Sequence, residues 1–450
     1  MSAEPQTAAR PRPARGEQLD LEIDDLAYGG KGVARRDDGY VVFVAGALPG
    51  DRVRAELTKS KRNYAEARVE QLLSPSPDRL SPECVHDGEP CPGCAWQSLP
   101  YPRQVAAKQR QVDDALRRIG GLDGFELEEI VPADDLWRYR NKLEYSFGER
   151  EDGEVTLGFH ARGRWDLLVD VDDCKLASEA GNEARNAVRA WARAEGLPAY
   201  DRRSRRGLLR NLAVREGHRS GDLQTRLVTS AARFPRPPVD LHTVIEGPSG
   251  GTDGPTGVLG RERISEELGG LRFEISHSAF FQTNTTMAER LYGVARDYAS
   301  LRGTERVFDL YCGIGTIALT FARGAGEVWG LEIVPDAIAD AERNAEINGV
   351  TNARFRAANA RTGVRPLIEE AGKPDVVVID PPRAGLSQKI VRRVIECEAQ
   401  RIVYVSCNPT TLAPNAAQLT EAGYRLRRVR PVDMFPQTPH IECVALLERE

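Results

Sequence analysis

From about residue 270 to the C-terminus, short apolar runs alternate with longer amphipathic stretches, and this alternation constrains the fold more than any other feature. Val307-Phe308-Asp309-Leu310, Val328-Trp329-Gly330-Leu331, Val376-Val377-Val378-Ile379 and Ile402-Val403-Tyr404-Val405 are each bounded by turn residues. Runs apolar on both faces belong inside a parallel sheet covered by helices. Residues 335–348 and 387–398 supply helical patterns between them. The expected fold of residues 266–450 is therefore α/β, a doubly wound, Rossmann-like sheet. Such a sheet binds ligands at the C-terminal ends of its strands, so the loops after these runs are where chemistry is sought.

The first loop reads Asp309-Leu310-Tyr311-Cys312-Gly313-Ile314-Gly315 and opens a helix over 316–321. Glycines there let the backbone approach a ligand at a helix N-terminus. The third glycine of the pyrophosphate fingerprint is missing, with Leu319 near its place, which argues against a dinucleotide. Glu332 closes the next strand and can accept hydrogen bonds from both hydroxyls of a ribose. That combination fits S-adenosylmethionine better than NAD, whereas a glycine loop alone could be only a tight turn.

Asp380-Pro381-Pro382-Arg383 follows the third run, and the two prolines fix the direction of Asp380. Ser406-Cys407-Asn408-Pro409 follows the fourth, placing a thiol at the ligand edge as a nucleophile would be placed. Near the C-terminus, Phe435-Pro436-Gln437-Thr438-Pro439-His440-Ile441-Glu442 leads into a last apolar strand, where a carboxylate is otherwise out of place.

These segments, in this order, resemble the RNA uracil-5-methyltransferases. The resemblance implies that Cys407 is the nucleophile and Glu442 the general base. It also implies that Gln282 (in Phe280-Phe281-Gln282-Thr283-Asn284), Tyr311, Glu332 and Asp380 contact S-adenosylmethionine. The chemistry is coherent. Thiolate addition at C6 turns C5 of uracil into an enolate carbon, and a base then removes the C5 proton from a flipped-out nucleotide. One departure stands out: Thr411-Leu412-Ala413 continues as Pro414-Asn415, where the family usually has Arg-Asp. Cytosine-5 methylation is a weaker alternative, since its Pro-Cys dipeptide is absent at the nucleophile. A non-catalytic RNA-binding protein is weaker still, because Cys407 and Glu442 are both intact.

Residues 16–72 read as short alternating strands with Gly-rich turns, a small barrel of OB type. By resemblance this is a TRAM domain that binds RNA. Arg52, Arg54, Lys59, Lys61, Arg62 and Tyr64 supply cations and an aromatic ring for that purpose. Residues 73–265 form a mixed central region, in which residues 101–121 read as a helix packing on the methyltransferase domain and residues 247–255 as a turn-rich loop. Within it, Cys84, Cys91 and Cys94 are spaced C-x6-C-x2-C with Cys174 far downstream, a set that suits zinc or a [4Fe–4S] cluster equally by spacing. The family resemblance implies the [4Fe–4S] cluster. Cys312, Cys397 and Cys443 are expected to be structural. The net charge of −5 hides a segment, residues 201–219, with seven arginines; that excess suits RNA phosphates. Residues 1–15 read as a disordered tail, and no run is long and apolar enough for a membrane helix. The expectation is thus a cytoplasmic, monomeric enzyme whose substrate is 23S rRNA or, alternatively, tRNA.

Overall fold

The computed structural model describes residues 12–86, 91–230, 234–237, 242–246, 255–259 and 262–450. Most of the expected N-terminal tail (1–11) and residues 247–254 of the turn-rich loop lie outside the described residues. The chain divides into two compact units. One comprises residues up to Glu83, Gly93–Gln111 and Gln437–His440; the other comprises Cys84–Pro92, Val112–Pro436 and Ile441–Glu450.

The first unit is built on a six-stranded sheet in the order Gln18–Glu22, Arg52–Ser60, Tyr64–Ser74, Val41–Ala45, Gly32–Arg35, Asp25–Leu26. Alternation does what period two predicts: Val53, Ala55 and Leu57 point into a core with Leu21, Ile23, Val42 and Val44. Asp51 is buried at a turn, where it accepts from the backbone N–H of Leu48 (2.8 Å) and Ser76 (2.9 Å) and pairs with Arg79 (2.8 Å). Two of the cations expected to meet RNA are in ion pairs, Arg54 with Asp20 (2.8 Å) and Lys59 with Glu66 (2.7 Å). Arg52, Lys61 and Arg62 are exposed.

The second unit holds two large sheets. One has seven strands in the order Arg164–Asp170, Val155–Ala161, Lys142–Glu149, Leu209–Glu216, Leu223–Thr229, His242–Glu246, Pro255–Leu259. Helix Glu179–Ala194 lies against it, capped by Ser178, whose hydroxyl accepts from the Gly181 N–H.

The other sheet follows the alternation read from the sequence. Its elements are β1 (Arg306–Leu310), α1 (Thr316–Ala322), β2 (Glu327–Glu332), α2 (Pro335–Ile347), β3 (Ala353–Ala357), α3 (Ala360–Ala371), β4 (Val376–Ile379), α4 (Gln388–Glu396), β5 (Arg401–Ser406), α5 (Pro409–Glu421), β6 (Tyr424–Val432) and β7 (Glu442–Arg449). The strand order is β3-β2-β1-β4-β5-β7-β6. Strands β1 to β5 are mutually parallel, while β7 enters antiparallel between β5 and β6. The central strands β1, β4 and β5 are almost wholly buried, as their apolar runs require, and in β1 that burial includes Asp309. Glu126–Leu127 adds an eighth, parallel edge strand beside β6, from outside the region the sequence assigns to this sheet.

The helix expected over 101–121 is α-helical for Tyr101–Asp114 and then continues as one π-helical turn, Ala115–Ile119. That turn packs on α5. At Gly120 an added Cβ would come within 3.1 Å of the Ala413 carbonyl oxygen, so a side chain there would force the two apart. Pro414 sits inside α5 without ending it, because the helix runs on to Glu421.

Candidate active site

The loop after β1 is shaped by three residues in the left-handed region: Tyr311 (φ 75°), Gly313 (φ 53°) and Gly315 (φ 86°). Tyr311 carries a side chain there, a conformation that persists only where the surroundings hold it. They do: the N–H groups of Tyr311 and Cys312 both donate to the Leu331 carbonyl (2.9 and 3.1 Å). Gly330 on β2 must lack a side chain, since a Cβ would meet Phe355 at 2.5 Å and Cys312 Sγ at 2.8 Å. Glu332, half-buried at the end of β2, accepts from the N–H of Ile333 (2.7 Å), Val334 (3.0 Å) and Gly313 (3.3 Å). These bonds hold the carboxylate against the glycine loop.

Beneath that loop lies Asp309, 1% exposed, with neither carboxylate oxygen in a hydrogen bond. Burial pushes its carboxyl up to about 8, Asp380 adds to the effect, and the nearby Ala318 amide offsets only part of it. A buried acid without a partner is costly unless a donor or cation arrives. The orphaned oxygens of Asp309, the glycine cradle and Glu332 together fit an adenosine ligand that carries positive charge.

The segment containing Gln282 is fixed from the seven-stranded sheet. The Asn141 side chain donates to the Gln282 carbonyl and to Thr285 Oγ1 (both 2.9 Å), and its N–H donates to the Thr283 carbonyl (2.9 Å). Asn284 caps the following helix, Thr285–Ala299, and donates to the Met434 carbonyl (3.0 Å). The Gln282 side chain faces the Tyr292 hydroxyl, which lies 3.4 Å from Thr316 Oγ1 at the start of α1.

The residues expected to react come together through sheet register. Strands β5 and β7 pair antiparallel up to Ser406 opposite Cys443, so the next residues outward, Cys407 and Glu442, face each other across the sheet end. Asp380 emerges from β4 on the other side of β5, one residue past the Ile379–Tyr404 pair. Burial raises the Asp380 carboxyl to about 7. Burial raises the Cys407 thiol to about 11, reinforced by Glu442 and Asp380 and opposed by Arg383. Glu442 is 4% exposed, and burial with Asp380 holds its carboxyl well above the usual range, again against Arg383. The loop is rigid: Asn408 caps α5 and donates to the Arg383 carbonyl (3.1 Å), while Ser406 Oγ donates to the Asn408 carbonyl (3.1 Å).

Cys407, Glu442 and Asp380 are thus electrostatic neighbours, and Asp309 links Asp380 to Glu332, which in turn neighbours Tyr311. Asp309 and Arg383 lie inside the 309–315 and 380–383 motifs, whereas no local signal marks Asn141. Cys84, Cys91, Cys94 and Cys174 form no disulfide, and neither do Cys312, Cys397 and Cys443, which are buried. Among the described residues, no three Cys, His, Asp or Glu side chains are grouped as a metal ion requires.

Residues 258–450 match the family described as tRNA (Uracil-5-)-methyltransferase, and residues 13–69 match the TRAM domain. An RNA methyltransferase of Porphyromonas gingivalis is 40% identical, over 95% of this chain and 99% of its own length. The chain belongs to the RNA uracil-5-methyltransferase family. A second RNA methyltransferase, from Halalkalibacterium halodurans, is 37% identical over 96% of this chain and 97% of its own length. Among solved structures, the Pyrococcus abyssi tRNA (uracil-54, C5)-methyltransferase in complex with S-adenosyl-L-homocysteine superposes with a TM-score of 0.77. It is 28% identical and covers 95% of this chain and all of its own. This methyltransferase therefore has the class I S-adenosylmethionine-dependent fold with an N-terminal TRAM domain, and its substrate is RNA. No helix among its described residues is long and apolar enough to cross a membrane.

Proposed function

We propose that the enzyme methylates C5 of one uridine in 23S rRNA through a covalent bond between Cys407 and C6 of the base. The observation that carries this reading is the β5–β7 register, which leaves a thiol and a buried carboxyl facing each other beside Asp380. Cys407 loses its proton to solvent and its sulfur bonds to C6, pushing the C5–C6 π electrons onto C5 and the C4 oxygen, so that C5 becomes the nucleophilic carbon. Bound S-adenosylmethionine supplies the electrophilic methyl group. Glu442 then takes the C5 proton, and elimination frees Cys407. Arg383 favours the ionised forms of both groups, against burial. Gln282, Tyr311, Glu332 and Asp380 hold the cofactor, and Asp380, a carboxyl poised near neutrality, favours a cation as its neighbour.

The test is Cys407→Ala. Methyl transfer to RNA should fall by at least about 10³-fold, while S-adenosylhomocysteine binding by calorimetry stays as in the wild type. Retained turnover would remove Cys407 as nucleophile. A tRNA substrate is the second reading, favoured by the likeness to the Pyrococcus abyssi tRNA (uracil-54, C5)-methyltransferase. Mapping lost 5-methyluridine in total RNA after gene deletion separates the two.

Residues 16–72 act as an OB-type RNA-binding barrel, residues 73–265 as a central domain and residues 266–450 as the catalytic domain. Cys84, Cys91, Cys94 and Cys174 are the ligands of a [4Fe–4S] cluster that positions RNA or supports the central domain. What supports this is the C-x6-C-x2-C spacing with Cys174 downstream, and that none of the four is in a disulfide. No step of methyl transfer uses the cluster.

A further inference from the structure

We propose that a groove on the seven-stranded sheet binds a single-stranded stretch of substrate RNA outside the target nucleotide; this rests on the RNA-methylation reading above. Of the seven arginines in residues 201–219, two are structural. Arg215 is buried and donates to the Ser276 and Ala279 carbonyls (2.8 and 2.5 Å), and Arg219 grips Glu289 with both terminal nitrogens. Arg202, Arg203, Arg205 and Arg210 instead line one groove together with Trp165 and Tyr200. Its volume of about 1410 Å³ exceeds the roughly 300–1,000 Å³ of a small-molecule pocket.

Both aromatic rings are paired with guanidinium groups: Arg203 lies 5.1 Å from the Trp165 ring centre and Arg210 lies 3.9 Å from that of Tyr200. Trp165 is 56% exposed, on an edge strand whose register slips between Arg164 and Leu168. A large ring left in water at such a place is available to stack on a base. The turn 201–206 is held by the Asp201 carboxylate, which accepts from the N–H of Arg203 (2.8 Å) and Ser204 (3.3 Å), and it leaves Arg202, Arg203 and Arg205 exposed. Of the other acids lining the groove, Asp166 pairs with Arg164 (2.8 Å), Asp170 with Arg189 (2.8 Å) and Arg150 (3.1 Å), and Glu149 accepts from the Ala199 N–H (2.8 Å), while Glu151 is exposed.

Cations for phosphates beside open ring faces are what an unpaired strand needs; a duplex hides its base faces. The groove is offset along the strand from the segment that carries Gln282. Asn141 holds the Gln282 segment, and Phe147, in the groove, lies six residues further along the chain, about 20 Å at strand rise.

The experiment uses the full chain and a fluorescein-labelled 20-nucleotide oligouridylate. Trp165→Ala should weaken binding about tenfold, with Trp165→Phe recovering most of it. Replacing Arg202, Arg203 and Arg205 together by Gln should weaken it by a similar factor. The same triple change should lower the salt dependence, the slope of log affinity against log salt, by about 2, at about 0.7 per phosphate contact. KM for RNA should rise, with kcat at saturating RNA and S-adenosylhomocysteine affinity unchanged. A 5-iodouridine version of the probe should crosslink to Trp165 or Tyr200. Wild-type affinity and salt slope in both variants would overturn the proposal. So would a blunt RNA duplex that binds as tightly and ignores Trp165→Ala. If the wild type transfers no methyl group to uridine yet the variants lose oligouridylate, the methylation reading falls and the groove stands.

Discussion

Glu442 and Asp309 are carboxylic acids placed where water does not reach them, and their protonation follows from that placement. Burial favours the protonated form of Glu442, and the group must be ionised to take the C5 proton. Glu442→Gln should therefore stop the reaction after the Cys407–C6 bond has formed. A protein–RNA adduct surviving denaturing electrophoresis is the expected result, and normal turnover without an adduct would remove Glu442 as the base. Asp309 bears on stability. Its folded pKa of about 8 lies above the ordinary 3.8, so the folded state keeps a proton that the unfolded chain releases. The stability this contributes is full below about pH 4 and is lost as the pH rises through 8. Asp380 adds the same trend up to about 7. The melting temperature of the cofactor-free protein should fall from pH 5 to pH 8.5, and Asp309→Asn should flatten that fall. Equal slopes for the two proteins would show that Asp309 is ionised in the fold.

At the scale of elements, the nucleophile loop depends on the helix behind it. Asn415, which replaces the usual acid of the family, clamps α5 to the loop that follows Asp380. Its Oδ1 accepts from the Leu386 N–H (2.8 Å) and the Tyr404 hydroxyl (3.1 Å), and its Nδ2 donates to the Leu386 carbonyl (3.0 Å). Space is tight there too, since a Cβ on Gly385 would come within 2.8 Å of Asn415 Oδ1. An acid could not donate to Leu386 without a proton, so the amide suits this site in neutral form. Asn415→Ala takes a partner from the Leu386 N–H, the Leu386 carbonyl and the Tyr404 hydroxyl. It should cost about 1–3 kcal/mol in urea unfolding and lower kcat by loosening Arg383 and Cys407. Unchanged stability would mean that water replaces the clamp.

At the scale of the whole molecule, net charge is a poor guide to where RNA is met. The overall value is −5, while exposed arginines gather in one groove and buried ones act as struts. The eight cysteines divide by neighbourhood in the same way. Anaerobically purified protein should be brown and contain about four iron atoms per chain, and Cys174→Ser should abolish both. Stoichiometric zinc without iron would sink the cluster assignment.

Much of the catalytic domain was legible in the sequence because apolar runs and helical periods are local, and so were the loops that follow them. Asp309, Asp380 and Cys407 sit at strand ends where those runs stop. The meeting of Cys407 with Glu442 was not legible. It depends on β7 running antiparallel between β5 and β6, which pairs Ser406 with Cys443, 37 residues away. Local pattern carries no information about such a crossover, and the same holds for the Glu126–Leu127 edge strand. Nor could the sequence separate Arg215 from Arg203, since an arginine is a strut or a phosphate ligand according to what is packed around it. Residue types and their order therefore determined which chemistry was available. Burial and register, which arise only when distant segments pack, decided which groups are neutral, which are paired and which face one another.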